Sequence, residues 1–152
     1  MKDYIVEKDF IIDEYRCVIL GLRAGHRCGY ISLNNDHPMY NKEYMDIGID
    51  VHGGMTYGGI SNQYPVETDE KYHWIGFDCI HLHDGQDMEL MKSFEKDGEI
   101  NRYIEISKDR GTYMYGNEVR STEYVEKELI YAVEQLKNIK EDFVTIKEEL
   151  NE

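Results

Sequence analysis

The longest periodic pattern of apolar positions in this chain of 152 residues lies at its C-terminus. After Ser121, a residue type that often caps helices, apolar residues recur in steps of three and four, which predicts an amphipathic helix over 121–150. Its apolar positions are Val125, Leu129, Val133, Leu136, Ile139, Phe143, Ile146 and Leu150. At 1.5 Å per residue this helix would be about 40 Å long, which is longer than one sheet requires. Its end could form a frayed acidic tail, pack on another subunit, or follow a break near Asn138.

The patterns in residues 1–116 are shorter and typical of strands. Residues 14–22 and 26–33 are rich in β-branched and aromatic residues and flank a short break that contains Gly, so they predict an antiparallel hairpin. Residues 45–54 alternate between apolar and polar positions, which predicts a half-buried strand ending in a Gly pair. Residues 73–83 form the most apolar run and are the candidate for a central strand.

The remaining segments carry weaker patterns. Residues 55–72 predict a loop that contains Gly and Tyr, and residues 86–96 predict a turn leading into a short helix. Residues 100–107 and 111–116 predict one further strand or hairpin. Together the patterns predict a single α+β domain over 1–152. We expect an antiparallel, curved sheet of about five or six strands, with the long helix on one face.

The formal net charge of -14 at pH 7 narrows the classes of partner. Nucleic-acid binding needs clusters of Lys and Arg, and an acidic field repels phosphates, so nucleic acid is not an expected partner. No apolar run approaches the roughly 20 residues that span a bilayer, and the first ten residues are too charged for an export signal. We therefore expect a cytoplasmic protein in no contact with a membrane, with Cys17, Cys28 and Cys79 reduced.

Residues 74–87, WIGFDCIHLHDGQD, concentrate candidate ligands for a metal ion. On a strand, Cys79, His81 and His83 would share one face at alternate positions. Cys79 and His83 would then lie about 13 Å apart, so at most two of the three reach one ion. Sulfur and imidazole ligands suit zinc, which is therefore the candidate cofactor. The candidate zinc ligands are His26, His52, Cys79 and His81.

The same residues permit a second chemistry, nucleophilic catalysis by a cysteine. Cys79 becomes reactive if a histidine or a cationic field lowers the pKa of its thiol, and His52 is the candidate base. Asp50 or Asp78 would orient the imidazole. The alternative is that Cys79 is buried and inert, as cysteines often are. The candidate catalytic residues are His52, Asp78, Cys79 and His81.

Residues 52–59, HGGMTYGG, form the third candidate site. Consecutive glycines suit either a hairpin turn or a loop whose backbone N–H groups wrap around a ligand. The polar and aromatic residues nearby have the composition of a small-molecule pocket. Arg27 could hold an anionic group, with a surface ion pair as its alternative role. The predicted ligand-binding residues are Arg27, His52, Gly53, Gly54, Thr56, Tyr57, Trp74 and Asp78.

Several of these stretches resemble a family of small proteins from Gram-positive bacteria and their phages. The family pattern runs roughly GHRCGYV, HPLYG, VHGGLTYS and GFDCAH. This chain has GHRCGYI, HPMY, VHGGMTYG and GFDCIH in the same order, with RSTEYVEKEL at the start of the last helix. This chain differs from the pattern at Met55, Gly58 and Ile80, where the family has Leu, Ser and Ala. These differences change the size of a side chain and remove no candidate site residue. The resemblance brings no activity with it, but it implies a mobile-element setting and one compact site. The residues that it leaves in place are His26, Cys28, His37, His52, Asp78, Cys79 and His81.

These observations leave three hypotheses for the function. The first is an accessory protein of a phage or mobile element, in an anti-defence role, that binds a small, anionic or nucleotide-like molecule. The second is a hydrolase that uses zinc or a Cys–His pair at the same site. The third is an acidic inhibitor that binds a host protein through the long helix or the charged surface. The helix could also join two copies of the chain.

Overall fold

A computed structural model describes residues 3–94 and 118–151. Five strands form an antiparallel sheet in the order β1-β2-β3-β5-β4. They are β1 (Tyr4–Ile12), β2 (Tyr15–Leu22), β3 (Arg27–Leu33), β4 (Tyr57–Ser61) and β5 (Tyr72–Asp78). Two short strands, β6 (Asp84–Gly85) and β7 (Glu118–Val119), pair in parallel outside this sheet. The helices are α1 (Met88–Lys92) and α2 (Thr122–Leu150), and a 3₁₀ turn spans Tyr44–Asp46.

The α+β class that the sequence predicts is confirmed, with the long helix on one face of the sheet. One core cluster joins the strands to α2. It includes Ile19, Ile31, Ile75 and Phe77 of the sheet and Val125, Leu129, Val133 and Leu136 of the helix. On the other face, a smaller cluster around Trp74 packs against the loop between β4 and β5. Apolar side chains are therefore buried on both faces of the sheet, which is the main favourable contribution to folding.

The C-terminal helix has the predicted bounds and the predicted cap. The Ser121 hydroxyl accepts a hydrogen bond from the Tyr124 N–H at 3.1 Å, which satisfies one of the free N–H groups of the first turn. The helix continues without interruption past Asn138, so the alternative of a break at that position is wrong.

The apolar stripe of α2 divides into two parts. Its first part, from Val125 to Leu136, is buried against the sheet. In its second part, the side chains of Phe143, Ile146 and Leu150 are 42%, 51% and 80% exposed. The apolar spacing therefore continues to the end of the helix, but the apolar side chains there are exposed.

Residues 45–54, all of them described, do not form the predicted strand. They contain the end of the 3₁₀ turn and an irregular loop. The alternation of burial is real, since Ile47 and Val51 are both buried. However, Gly48 has a φ of +70°, which interrupts an extended backbone. The Gln135 side chain of α2 also bonds the Asp50 N–H at 2.7 Å and its carbonyl at 2.8 Å. The backbone of this loop is thus bonded to the helix and not to a neighbouring strand.

Residues 73–83 form a strand only in their first part, because β5 ends at Asp78. The prediction that Cys79, His81 and His83 alternate along one strand is therefore wrong. The Asp78 carboxylate accepts the Ile80 N–H at 3.1 Å, a local bond that turns the chain out of the sheet. Two strands of the sheet lie outside the sequence prediction. β1 carries several charges, and β4 lies in a segment predicted as a loop.

The predicted hairpin is confirmed as β2 and β3, which pair in antiparallel register. The short helix predicted within residues 86–96 is confirmed as α1, where Leu90 and Met91 are buried. The strand or hairpin predicted for residues 100–107 and 111–116 lies outside the described residues. In the described part of the chain, no helix combines the length and the apolar character needed to cross a membrane.

Candidate metal centre

The turn that follows β5 forms one wall of the site. Cys79 continues the sheet pairing by one bond, from its N–H to the Arg27 carbonyl at 2.9 Å. The chain then turns so that the His81 carbonyl accepts the Asp84 N–H at 2.9 Å. The Asp84 carboxylate closes the same turn by accepting the His81 N–H at 3.0 Å. These bonds hold the side chains of His81 and Asp84 next to each other.

A Gly–Gly turn forms the opposite wall. The Gly54 N–H bonds the Val51 carbonyl at 2.9 Å, and Gly53 and Gly54 have φ values of +69° and +81° that favour glycine. A β-carbon on Gly53 would collide with the ring of His81. Because position 53 has no side chain, the two walls approach closely, and the ring centroids of His52 and His81 are 5.4 Å apart.

Three side chains, His52, His81 and Asp84, converge between these walls. One potential ligand atom from each lies within 4.8 Å of the others. His52 Nε2 is 2.8 Å and His81 Nδ1 is 3.3 Å from the same oxygen, Asp84 Oδ2. The Asp84 side chain is 1% exposed and the His81 side chain 38% exposed. The group therefore rests on a buried carboxylate and opens to solvent at His81.

The second nitrogen of each imidazole faces a further polar group. His52 Nδ1 is hydrogen-bonded to the Tyr124 hydroxyl at 2.8 Å. His81 Nε2 lies 3.7 Å from Asp78 Oδ1, and the other Asp78 oxygen accepts the Thr56 hydroxyl at 3.1 Å. Groups placed in this way orient metal-binding histidines and decide which nitrogen faces the ion.

Arg120 holds the other oxygen of Asp84. Its Nε donates to Asp84 Oδ1 at 2.8 Å, and its guanidinium lies 4.7 Å from the centre of the Tyr124 ring. Burial by itself would raise the pKa of Asp84. Hydrogen bonds from Arg120, His52 and the His81 N–H reverse that effect and lower the pKa to about 2. Asp84 is therefore an anion at neutral pH, with one oxygen directed at the two imidazoles.

The donor set of this group is two imidazole nitrogens and one carboxylate oxygen. Catalytic zinc sites use three protein ligands of these types and leave the fourth position to water or substrate. Calcium and magnesium prefer sites built from oxygen ligands. The residues present therefore fit zinc, or a related late first-row ion, better than they fit a hard cation.

The structure brings together two of the four predicted zinc ligands, His52 and His81. Cys79 and His26 are not part of the group. Cys79 is 1% exposed in the core beneath α2, and burial raises the pKa of its thiol to about 12. Such a thiol stays protonated at neutral pH, which suits an inert structural cysteine and not a nucleophile. His26 is buried as well, and burial lowers the pKa of its imidazole.

The predicted small-molecule residues are divided between different parts of the fold. Trp74 is fully buried, and Tyr57 packs with it in the cluster on the face opposite α2. Arg27 is also buried, and it forms ion pairs with Glu7 at 2.7 Å and Asp87 at 2.8 Å. Its role is thus neither a contact in an open pocket nor a surface ion pair. The predicted residues that do belong to or border the metal group are His52, Gly53, Thr56 and Asp78.

Asp84, Arg120 and Tyr124 belong to the site but lie outside the sequence prediction. Asp84 has a local signal, because an acidic residue three positions after His81 can accept that residue's N–H and close a turn. Arg120 and Tyr124 have no such local signal, although both lie in RSTEYVEKEL, the helix-start segment of the family resemblance. Arg120 lies 36 positions from Asp84, and Tyr124 lies 72 positions from His52, so only the fold brings these pairs together.

No family model, curated protein or solved structure matches this chain. The family resemblance of its motifs stays a prediction. The fold and the grouped side chains define an α+β protein with a candidate metal centre beside the end of β5.

Proposed function

We propose that this protein is a zinc-dependent hydrolase whose metal ion is bound by His52, His81 and Asp84. The observation that carries the proposal is the convergence of their ligand atoms within 4.8 Å, around one oxygen of a buried carboxylate. This is the zinc form of the second hypothesis, with Asp84 in the place expected for Cys79. The Cys–His form has less support, because burial raises the pKa of the Cys79 thiol to about 12.

In this proposal the ion would activate a water molecule, and the surrounding residues would orient the ligands and accept a proton. Zinc in a site of this kind lowers the pKa of a bound water to about 7. Tyr124 holds the second nitrogen of His52, and Arg120 holds the outer oxygen of Asp84, so both ligands are fixed before an ion binds. Asp78 is 28% exposed and lies at the open side next to His81, where it is the candidate for accepting a proton.

The biological setting is the second part of the proposal. The motif resemblance supports an accessory protein of a phage or mobile element, with an anti-defence role. A hydrolase suits that role if its substrate is a molecule that the host needs for defence. The biological setting can be tested only when a substrate is known. Metal binding and hydrolysis are therefore tested before it.

Metal content is the direct test of the ligand assignment. The protein is equilibrated with zinc, passed through a desalting column and analysed by inductively coupled plasma mass spectrometry, and we expect about one zinc per chain. The variants His52→Ala and His81→Ala should lose it. His83→Ala is the matched control, because it removes an exposed imidazole two positions from His81 and should leave the zinc in place. A native chain that retains no zinc, or a His81→Ala variant that retains all of it, would refute the assignment.

Hydrolysis is tested separately, on a panel of chromogenic esters, amides and phosphoesters. Turnover that a chelator removes and added zinc restores would support the proposal. A zinc-loaded protein that is inert towards the whole panel would contradict the hydrolytic part and leave the ligand assignment intact.

A further inference from the structure

Arg27, the cation of the GHRCGY motif, is a buried residue whose side chain joins three separate segments of the chain. The side chain is 7% exposed. Its Nε donates to the Glu7 carboxylate at 2.7 Å, its Nη2 to the Asp87 carboxylate at 2.8 Å, and its Nη1 to the Arg120 carbonyl at 3.1 Å. Because a guanidinium is a rigid, planar fork of donors, these bonds fix the positions of the three partners relative to one another.

Two of these partners lie at the same end of the two-stranded sheet of β6 and β7. The two strands pair in parallel, so they end side by side. Asp87 follows β6 by two positions, and Arg120 follows β7 by one position. A pair of strands this short has little stability of its own. The Arg27 guanidinium therefore bridges the ends of two strands that need an additional attachment to stay aligned.

The same pair of strands positions the carboxylate of the proposed zinc site. Asp84 belongs to β6, and its Oδ1 accepts a hydrogen bond at 2.8 Å from Nε of Arg120, which follows β7. Asp84 Oδ2 is then directed at His52 Nε2 and His81 Nδ1, at 2.8 Å and 3.3 Å. A shift of β6 relative to β7 therefore moves the carboxylate relative to the two imidazoles.

The main chain of Arg27 holds the turn that carries His81. Its carbonyl accepts the Cys79 N–H at 2.9 Å, one residue beyond the end of β5. Arg27 thus bonds both segments that bring ligands to the site from this part of the fold. Its main chain bonds the start of the turn, and its side chain bonds the chain that follows β6.

We infer that Arg27 is a positioning residue of the zinc site, which keeps Asp84 and Arg120 aligned and so directs the carboxylate at the two imidazoles. The inference rests on the proposed zinc-dependent function and adds a residue that regulates the geometry of its ligands. It gives the GHRCGY motif a role inside the protein, in place of the contact with an anionic ligand that the sequence suggests. Removal of groups that orient metal ligands weakens metal binding by roughly 10- to 100-fold.

Zinc affinity, measured by competition with a fluorescent chelator, is compared between Arg27→Lys and a matched control, Arg16→Lys. Lysine keeps the charge but lacks the fork, so Arg27→Lys should lower the affinity by roughly tenfold. The chain after β6 keeps a second attachment, because the Asp87 N–H bonds the Gly25 carbonyl at 2.8 Å, and the fold should therefore persist. Arg16 also forms a bidentate ion pair, with Asp9 at 2.9 Å and 2.7 Å, but this pair joins only β1 and β2. Arg16→Lys should leave the zinc affinity unchanged.

The visible absorption of the cobalt-loaded proteins reports the ligand geometry itself. Cobalt(II) accepts the same types of ligand as zinc, and its absorption depends on the number and arrangement of those ligands. We expect Arg27→Lys to shift the bands or change their intensity, and Arg16→Lys to give the native spectrum. A lower stability alone does not alter the spectrum of protein that is folded and loaded. A folded Arg27→Lys protein with the native zinc affinity or the native cobalt spectrum overturns the inference.

Asp87→Asn is a milder variant that decides the question if Arg27→Lys does not fold. It keeps the oxygen that accepts two N–H groups in the first turn of α1 and replaces the oxygen that Arg27 bonds. Because one of the three partners is lost, we expect the zinc affinity to fall by about threefold. Asp9→Asn makes the same change in the Arg16 ion pair and should have no effect.

The outcomes separate this inference from the proposed function. A native chain that binds no zinc counts against the proposed function, and the positioning role of Arg27 falls with it. A native chain that binds zinc, together with an Asp87→Asn protein of equal affinity, overturns the positioning role and leaves the ligand assignment intact.

Discussion

The imidazole of His81 lies against the backbone of Gly53, so closely that a β-carbon at position 53 would collide with the ring. This contact joins the VHGG motif to the GFDCIH motif, which are separate in the sequence. It also brings His81 next to His52, the residue that precedes the Gly pair, with their ring centroids 5.4 Å apart. Glycine at position 53 is therefore a steric requirement of the site as well as a conformational requirement of the turn.

Substitution of Gly53 should consequently damage the site more than a comparable change in the same turn. Gly53→Ala combines a positive φ with the collision, and we expect it to lower the free energy of unfolding by roughly 2–4 kcal/mol and to weaken zinc binding. Gly54→Ala is the control, because its φ is +81° and its β-carbon would meet nothing within 4 Å. That variant should lose only about 1–2 kcal/mol. Urea denaturation and zinc titration measure both effects, and equal losses in the two variants would show that the contact with His81 contributes nothing.

The Tyr124 hydroxyl should act on zinc through His52. It lies 2.8 Å from His52 Nδ1, on the side of the ring away from Asp84. Tyr124→Phe removes only the hydroxyl, so we expect the zinc affinity to fall by roughly tenfold while the fold is kept. Tyr131→Phe makes the same change at a residue of α2 that is 47% exposed and should leave the affinity unchanged. Competition with a fluorescent zinc chelator gives the affinities, and a Tyr124→Phe value equal to that of the native chain would exclude this role.

The stability of the fold should decrease in mild acid because of buried neutral histidines. His37 donates from Nε2 to the Leu136 carbonyl at 3.0 Å and accepts the Met39 N–H at Nδ1, and burial lowers its pKa below the ordinary 6.5. The unfolded chain therefore binds more protons as the pH falls below about 6.5. The stability contributed by the neutral ring is present above that pH and is lost below it.

This pH dependence is measurable as the free energy of unfolding in urea at pH 7.5 and pH 5.5. His37→Asn keeps an acceptor for the Met39 N–H but does not titrate, so the difference between the two pH values should become smaller. It should not vanish, because burial also lowers the pKa of His73 and His26. The exposed His83 is the control position, and a pH dependence that His83→Ala reduces as much as His37→Asn would contradict the assignment.

The sequence correctly predicts the elements that have a local signal, either a run of β-forming residues or a helical repeat of apolar positions. The hairpin of β2 and β3 has dense β-branched and aromatic residues around a break that contains Gly, and α2 repeats its apolar side chains at the spacing of one helix face. The loop around Ile47 and Val51 depends instead on a contact that is distant in the sequence. Its alternating burial is correct, but the Gln135 side chain of α2 accepts the Asp50 N–H and donates to the Asp50 carbonyl, and no local pattern indicates a partner 85 positions away.

The candidate site also contains some residues with a local sequence signal and some without one. His52 and His81 are sequence candidates because imidazole is a common zinc ligand, and the structure brings these two together. The prediction of Cys79 as a ligand depends on β5 continuing to residue 83, and the Asp78 side chain ends the strand earlier. Arg120 reaches Asp84 through the parallel pairing of β6 and β7, two strands too short to leave a sequence signal.

The two parts of the apolar stripe of α2 should respond differently to the removal of a side chain. Leu136 is fully buried beneath the sheet, and Leu136→Ala should lower the free energy of unfolding by about 2–5 kcal/mol, because it leaves a cavity. Phe143 is 42% exposed, so in a single chain Phe143→Ala should lower it by less than about 1 kcal/mol. If the helix joins two copies, the Phe143→Ala loss should instead grow with protein concentration, since association stabilises the folded state by mass action. Thermal unfolding of the native chain and both variants over a hundredfold range of concentration distinguishes the two cases. A midpoint independent of concentration in all three proteins would exclude association through this helix.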